Sequence, residues 1–342
     1  MSVSANIGAI WAWSSQETAA TGESRTVVEL LVAVADELDP PRSLSPTSAR
    51  TWQQCELRYA LSYLYGWQEG ATLPQVVGNT VHRAVELLYG LDPSQRRRDV
   101  AGQLLRVALA EETGRDEVAA LVERREDVAG QVTSAGEDAL DGLFVLEDPA
   151  RITVDPEGLE VRVVAELYGV PVRGRIDRLY DASGAYVVAD YKSGRVPRPE
   201  YTATAFFGLW TYAAALAASD PDRVLPDRVE LLYLVGRERL ARPVVRAVAL
   251  HHARDLARIW RQILSAVQRA ALTARTSLLC DWCAFSSVCP ARTKAPLPGV
   301  GSNEHAALVG ALGLRRRDRT IVANTLERAE APGERDGLES AR

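Results

Sequence analysis

Asp177, Asp190 and Lys192 are the residues of this chain best placed to do chemistry. They lie in Gly174-Arg-Ile-Asp177-Arg178 and Val188-Ala-Asp190-Tyr-Lys192-Ser-Gly194, two strand-like runs separated by Asp181-Ala-Ser-Gly184. If 172–180 and 185–192 form a hairpin whose turn holds an even number of residues, opposed positions add to an odd number, as 177 and 190 do. The carboxylates then share a face, with Cβ atoms roughly 5 to 8 Å apart. Lys192, two residues past Asp190, joins that face while Tyr191 points away. Paired carboxylates offer oxygen ligands to Mg2+ or Mn2+, and such an ion keeps waters and takes phosphate. It lowers the pKa of a water and neutralises charge on a phosphodiester under attack. A lysine can orient or deprotonate that water, which a guanidinium cannot. Lys192 and Lys294 are the only lysines among 40 basic residues, so this lysine stands out against an arginine background. The competing reading of the spacing is a surface hairpin with ordinary salt bridges. The shared face, the scarcity of lysine and the Ser193-Gly194 that follows favour chemistry.

The cysteines make a second constellation. Cys280, Cys283 and Cys289 are spaced C-x2-C-x5-C with Pro290 next, and Cys55 is the only other cysteine. An intracellular chain seldom uses cysteines as disulfides, and three clustered thiols read better as ligands. Four thiolates suit zinc or an iron–sulfur cluster, and the spacing does not separate the two.

The order Gly78-x-x-x-His82, Gly174-Arg-Ile-Asp177-Arg178, Asp190-Tyr-Lys192-Ser-Gly194 resembles the PD-(D/E)XK nuclease superfamily in its RecB-like exonuclease branch, over roughly residues 43–291. The resemblance implies that His82, Asp177 and Asp190 bind Mg2+ or Mn2+ and that Lys192 is catalytic. It implies an α/β restriction-endonuclease-like core, a mixed central sheet flanked by helices, with a helical insertion. RecB-like nucleases with one early cysteine and a late C-x2-C-x5-C carry a [4Fe–4S] cluster, which assigns Cys55, Cys280, Cys283 and Cys289 to one site; Zn2+ is the alternative. The family's Gln-x-x-x-Tyr is met only in part: Tyr212 fits the tyrosine, but Gly208 holds the glutamine position.

The elements must position these groups. Ser45-Pro46 opens a helix carrying Trp52 and Cys55, since serine suits the N-cap and proline the first turn. A second helix, about 79–89, carries His82, and residues 96–147 are mostly helical. Strands are expected at 159–167, 172–180, 185–191, 229–235 and 243–250, with a break at Tyr168-Gly169 and helices at about 200–218 and 253–271. An amphipathic segment, Arg25 to Leu38, is expected to be helical and to end at Asp39-Pro40-Pro41. The expected organisation is a variable extension (1–42), a nuclease domain (43–295) with a helical subdomain at about 79–147, and a polar tail (296–342).

The chain has 342 residues, 47% hydrophobic and 25% charged, with a net charge of −5. That is a globular balance with no overall basic field, so nucleic acid would be held by local patches. Arg175 and Arg195 are the candidate phosphate holders, with Trp52, Trp67 and Trp210 as candidates for base stacking. Arg96-Arg97-Arg98 reads as a solvated helix start. The longest apolar run near the N-terminus, Leu30 to Ala35, is too short to span a bilayer, and no signal peptide precedes it, so no membrane role and a cytoplasmic location are expected. There is no G-x-x-x-x-G-K-[ST] loop, which excludes a P-loop helicase within this chain. The expected function is metal-dependent cleavage of DNA, single-stranded or with a free end, in repair or recombination. The alternatives are a DNA-binding subunit with a weakened site that partners a separate helicase, and a zinc-stapled scaffold.

Overall fold

A computed structural model of the chain describes residues 11–18, 24–33, 38–68, 70–219, 225–295, 297 and 315–316. It opens with β1 (Trp11–Thr18), β2 (Ser24–Ala33), α1 (Pro46–Gln54), α2 (Glu56–Tyr59) and the short β3 (Trp67–Gln68). Four helices follow: α3 (Leu73–Tyr89), α4 (Arg98–Thr113), α5 (Asp116–Arg124) and α6 (Val128–Leu146). Then come β4 (Leu159–Leu167), β5 (Val170–Asp181), β6 (Tyr186–Lys192), α7 (Thr202–Ala205), α8 (Phe207–Ser219), β7 (Arg228–Tyr233) and β8 (Glu238–Pro243). The described chain ends with α9 (Arg246–Gln268), β9 (Ala271–Arg275), α10 (Pro290–Thr293) and β10 (Arg315–Arg316).

β4-β5-β6-β7-β8 form one sheet, antiparallel except for the parallel pair β6/β7. Both faces are covered, so its central strands read as near-continuous apolar runs. Alternation sends Val188, Val229 and Leu231 into the layer that holds α1, α8 and α9. It sends Val187, Ala189, Tyr191 and Leu232 into the layer of α3, α4 and α6. Two turns set the register. Tyr168 and Gly169, with φ of 50° and 77°, make a two-residue turn with both centres left-handed, so Leu167 pairs with Val170. Between β5 and β6, Ser183 and Gly184 are left-handed and the Gly184 N–H donates to Asp181 Oδ1 at 2.6 Å.

α1 starts as its sequence suggests: Ser45 caps it through the Ser48 N–H at 3.1 Å, with Pro46 in the first turn. Three expectations need correction. The described part of 25–38 is not helical but the strand β2, paired with β1 and with β9 from Glu29↔Arg275 to Ala33↔Ala271. Its β-branched Thr26, Val27, Val28 and Val32 favour extended backbone, and β9 offers an edge that a local reading cannot see. The strand expected at 243–250 is the start of α9; β8 lies earlier, at 238–243, because Ala249, Ala253 and Leu256 recur with helical spacing and bury one stripe. Arg96 is no solvated helix start: it is buried and donates to the carbonyls of Leu91 at 2.8 Å and Ile152 at 2.8 Å. Apart from Leu297 and Arg315–Arg316, the 296–342 tail lies outside the described residues. Among the described residues no helix is long and apolar enough to cross a membrane.

Candidate functional site

The β5/β6 ladder pairs Arg178 with Ala189 and runs to Asp181↔Tyr186, and one further step in that register sets Asp177 across from Asp190. There the strands part: the Tyr191 N–H donates to Asp177 Oδ2 at 2.8 Å. Lys192 Nζ is paired with Asp190 Oδ2. α3 brings His82 in from the helical layer, its Nδ1 3.4 Å from Asp177 Oδ2. Tyr212 of α8 lies against Gly174, so close that a Cβ there would come within 2.3 Å of the ring. Its hydroxyl is pushed up by burial, with the Asp190 and Asp177 charges adding. His82, Asp177, Asp190, Lys192 and Tyr212 thus converge on one end of the β5/β6 hairpin.

Glu160 was not foreseen. One ligand atom each from His82, Glu160 and Asp177 lie within 4.8 Å of one another. The signal was available: with the Tyr168-Gly169 turn, Leu159 pairs with Arg178 and Val161 with Ile176, which leaves Glu160 opposite Asp177. Glu160 has a left-handed backbone, φ 49°, a conformation that costs a non-glycine residue of order 1–3 kcal/mol and tends to occur at functional sites. Arg175 pairs with Glu160 at 3.3 Å from an exposed position at this mouth. Arg195 is exposed three residues beyond Lys192. A polar cleft of about 480 Å³, lined in part by Asn79, His82, Arg83, Glu160 and Arg175, opens beside the carboxylates.

The charges are interdependent. Burial disfavours the His82 imidazolium, but the hydrogen-bonded Asp177 carboxylate outweighs it and carries His82 up to about 9. Burial would raise Asp177, yet His82, the Tyr191 N–H and Lys192 hold it below the ordinary carboxylate range. Asp190 is pushed up by burial and by Asp177, against the pull of Lys192. Lys192 is pulled down by desolvation, but Asp190 prevails and keeps it charged. Without a metal, Lys192 holds its proton against Asp190. Two carboxylates are hard donors that suit a divalent ion such as Mg2+ or Mn2+, with the imidazole nitrogen a borderline third donor, and the open cleft leaves room for water and phosphate.

The four cysteines are half-buried free thiols, and all four line one cavity together with Arg58, Arg275 and Arg292. Cys55 is the C-cap of α1, Cys280 and Cys283 follow β9, and Cys289 caps α10. The Ser277 N–H donates to Cys280 Sγ at 3.3 Å. Cys289 is raised mainly by burial, with Cys55 and Cys280 adding. Among the described residues no three of these sulfurs lie within 4.8 Å of one another.

The stacking candidates do not reach solvent: Trp52, Trp67 and Trp210 are 4%, 2% and 7% exposed and belong to the core. Trp282, in the cysteine loop, is 87% exposed. At Gly208 an added Cβ would be in ordinary contact with Pro46 Cβ, at 3.6 Å.

No curated protein matches the chain. The solved structure of SSO0001 is 14% identical and covers 72% of this chain and 97% of its own, with a TM-score of 0.27. A family profile described as PD-(D/E)XK nuclease superfamily matches residues 43–290, a span that takes in the five-stranded sheet, all four cysteines and every converging residue named above. The chain belongs to the PD-(D/E)XK nuclease superfamily, whose members are typically metal-dependent nucleases.

Proposed function

We propose that this protein is a Mg2+- or Mn2+-dependent deoxyribonuclease, acting as an exonuclease in DNA repair or recombination. The observation that carries the reading is the meeting of His82, Glu160 and Asp177 beside the Asp190–Lys192 pair at the mouth of an open cleft. His82, Glu160 and Asp177 would hold the ion, and Asp190 would join them by giving up Lys192. When bound, the ion supplies acidity to a water and neutralises charge at the phosphate. Lys192 holds a proton at Nζ and orients the attacking water or a phosphate oxygen. Arg175 and Arg195 hold flanking phosphates without reading sequence. Tyr212, wedged over Gly174, keeps its hydroxyl at the Arg175 backbone N–H, near the carboxylates.

Cys55, Cys280, Cys283 and Cys289 are proposed to hold a [4Fe–4S] cluster as a staple. Four thiols lining one cavity supply the ligand set such a cluster takes, with Zn2+ as the alternative. Tying Cys55 to Cys280 closes a loop of more than two hundred residues, which removes about 5 kcal/mol of unfolded-state entropy before the constant term.

The test is cleavage of end-labelled linear and circular single-stranded DNA by anaerobically purified protein with Mg2+ or Mn2+, beside Lys192→Ala, with iron and sulfide measured on the same preparation. Metal-dependent cleavage of linear DNA alone, lost in the variant, is expected. Gly208 favours a second reading, a DNA-binding subunit with a weakened site beside a separate helicase. Absence of cleavage by folded, cluster-loaded protein would favour that reading.

A further inference from the structure

On the face of the sheet that α3 and α6 cover lies a charge cluster that the proposed chemistry does not use. Arg178 is 0% exposed. Its guanidinium lies 4.3, 4.7 and 5.4 Å from the ring centroids of Tyr180, Tyr89 and Tyr191. It also forms a fork with Glu147, Nη1 to Oε1 at 2.6 Å and Nη2 to Oε2 at 3.0 Å. Glu147, the C-cap of α6, accepts as well from the Tyr89 hydroxyl and from Arg239 at 2.9 Å. The Tyr180 hydroxyl donates to Glu230 at 3.0 Å, which Arg228 also reaches at 2.6 Å.

Stability alone does not account for such a cluster, because apolar replacement of a buried ion pair is often neutral or stabilising. A bidentate fork between planar groups supplies geometry instead. The parts it fixes are immediate neighbours of the metal-site residues. Arg178 follows Asp177 in the chain. Tyr191 sits between Asp190 and Lys192, and its ring meets His82 edge-on at 6.1 Å. Tyr89 is two turns along α3 from His82, on the same helix face. His82 comes from the helical layer and the aspartates from the sheet, so their separation depends on what ties the layers together at this level.

We propose that Arg178 and Glu147 are a positioning pair that sets the separation of His82 from Asp177 and Asp190 through Tyr89 and Tyr191. The pair itself touches no reacting atom. The inference rests on the proposed metal site, so its test includes Mn2+ binding, read by electron paramagnetic resonance independently of cleavage. Arg178→Met/Glu147→Gln removes both charges of the fork and leaves Arg239 paired with Glu230 at 3.4 Å, and Arg178→Lys keeps the charge but loses the fork. Partners that orient metal ligands typically carry roughly 10–100-fold in affinity or activity. The double variant is therefore expected to stay folded, bind Mn2+ roughly 10–100-fold more weakly and lose kcat with little change in KM. Arg178→Lys should show a smaller loss at nearly unchanged melting temperature. A folded double variant with wild-type Mn2+ affinity and kcat overturns the inference. Should the double variant fail to fold, Arg178→Lys decides: wild-type Mn2+ affinity in that folded protein overturns the proposal equally. If the unmodified protein binds Mn2+ with this dependence on the pair yet cleaves no DNA, the nuclease reading falls and the positioning pair stands.

Discussion

Proton and metal compete for His82. In the metal-free protein its imidazole is held up to about 9, chiefly by Asp177 against the cost of burial, with Asp190 adding and Lys192 opposing. A metal takes only the neutral ring, so binding must displace that proton. At pH 7 a group with a pKa near 9 is neutral in about one molecule in a hundred, which weakens apparent Mn2+ affinity roughly 100-fold; at pH 8.5 the penalty is roughly fourfold. Affinity should therefore rise about 25-fold between pH 7 and pH 8.5 and then level off above 9, with about one proton released per ion. Asp177 is depressed and stays ionised over this range, and Lys192 stays charged beside Asp190. Anaerobic Mn2+ calorimetry in buffers of different ionisation enthalpy reads both quantities. His82→Gln, which has no proton to lose, should bind more weakly with a flat pH profile. An affinity that moves less than about threefold across this window, with no proton released, would refute the competition. The sign for the metal-free fold is opposite. With the folded value above the unfolded 6.5, the charged imidazole contributes its full stability below about pH 6.5 and loses it as pH rises through about 9.

Other consequences can be checked directly. Glu160→Gln removes a like charge beside Asp177, so the metal-free protein should melt no lower than wild type while Mn2+ affinity falls about tenfold or more; unchanged affinity would remove Glu160 from the site. Gly174→Ala drives a Cβ to within 2.3 Å of the Tyr212 ring and should cost about 1–3 kcal/mol by overpacking. In denaturant titrations a second substitution, Tyr212→Ala, should recover part of that loss. Trp67→Ala should cost about 3–5 kcal/mol with DNA affinity of the folded fraction unchanged. Trp282→Ala, on an 87% exposed side chain, should fall within about 0.5 kcal/mol of wild type.

Much of the site was legible because it depends on two local rules. Strand alternation and an even turn placed Asp177, Asp190 and Lys192 together, and the β5/β6 register has that parity. The same reasoning, applied one turn earlier at Tyr168-Gly169, would have placed Glu160 opposite Asp177. That step needs two hairpins to be combined, because neither alone marks Glu160 as unusual. What was not legible depended on distant partners. The 24–33 segment has apolar spacing compatible with a helix, and its strand state is set by β9 some 240 residues later. Trp67 is a stacking group or core according to what covers it, and Phe285, whose ring lies 6.3 Å away, comes more than two hundred residues later. Arg96 reads as part of a basic run because two of its three acceptors, the carbonyls of Pro149 and Ile152, lie more than fifty residues on.

The period of two that reveals the site also explains how it is held. Asp177 precedes Arg178, and Asp190 and Lys192 flank Tyr191, so each of these site groups has a chain neighbour packed into the layer of α3 and α6. On that side Arg178 and Tyr191 are locked to α3 and α6 by rings and by Glu147. A shift of the β5/β6 register by one residue would exchange the two sets, burying carboxylates among tyrosines and turning the arginine towards the metal ligands. Both layers resist that slip: one by losing Val188 from its core, the other by breaking the buried Arg178–Glu147 fork. Specification of this register is therefore specification of the site, and the chemistry inherits the rigidity of the sheet rather than that of a loop.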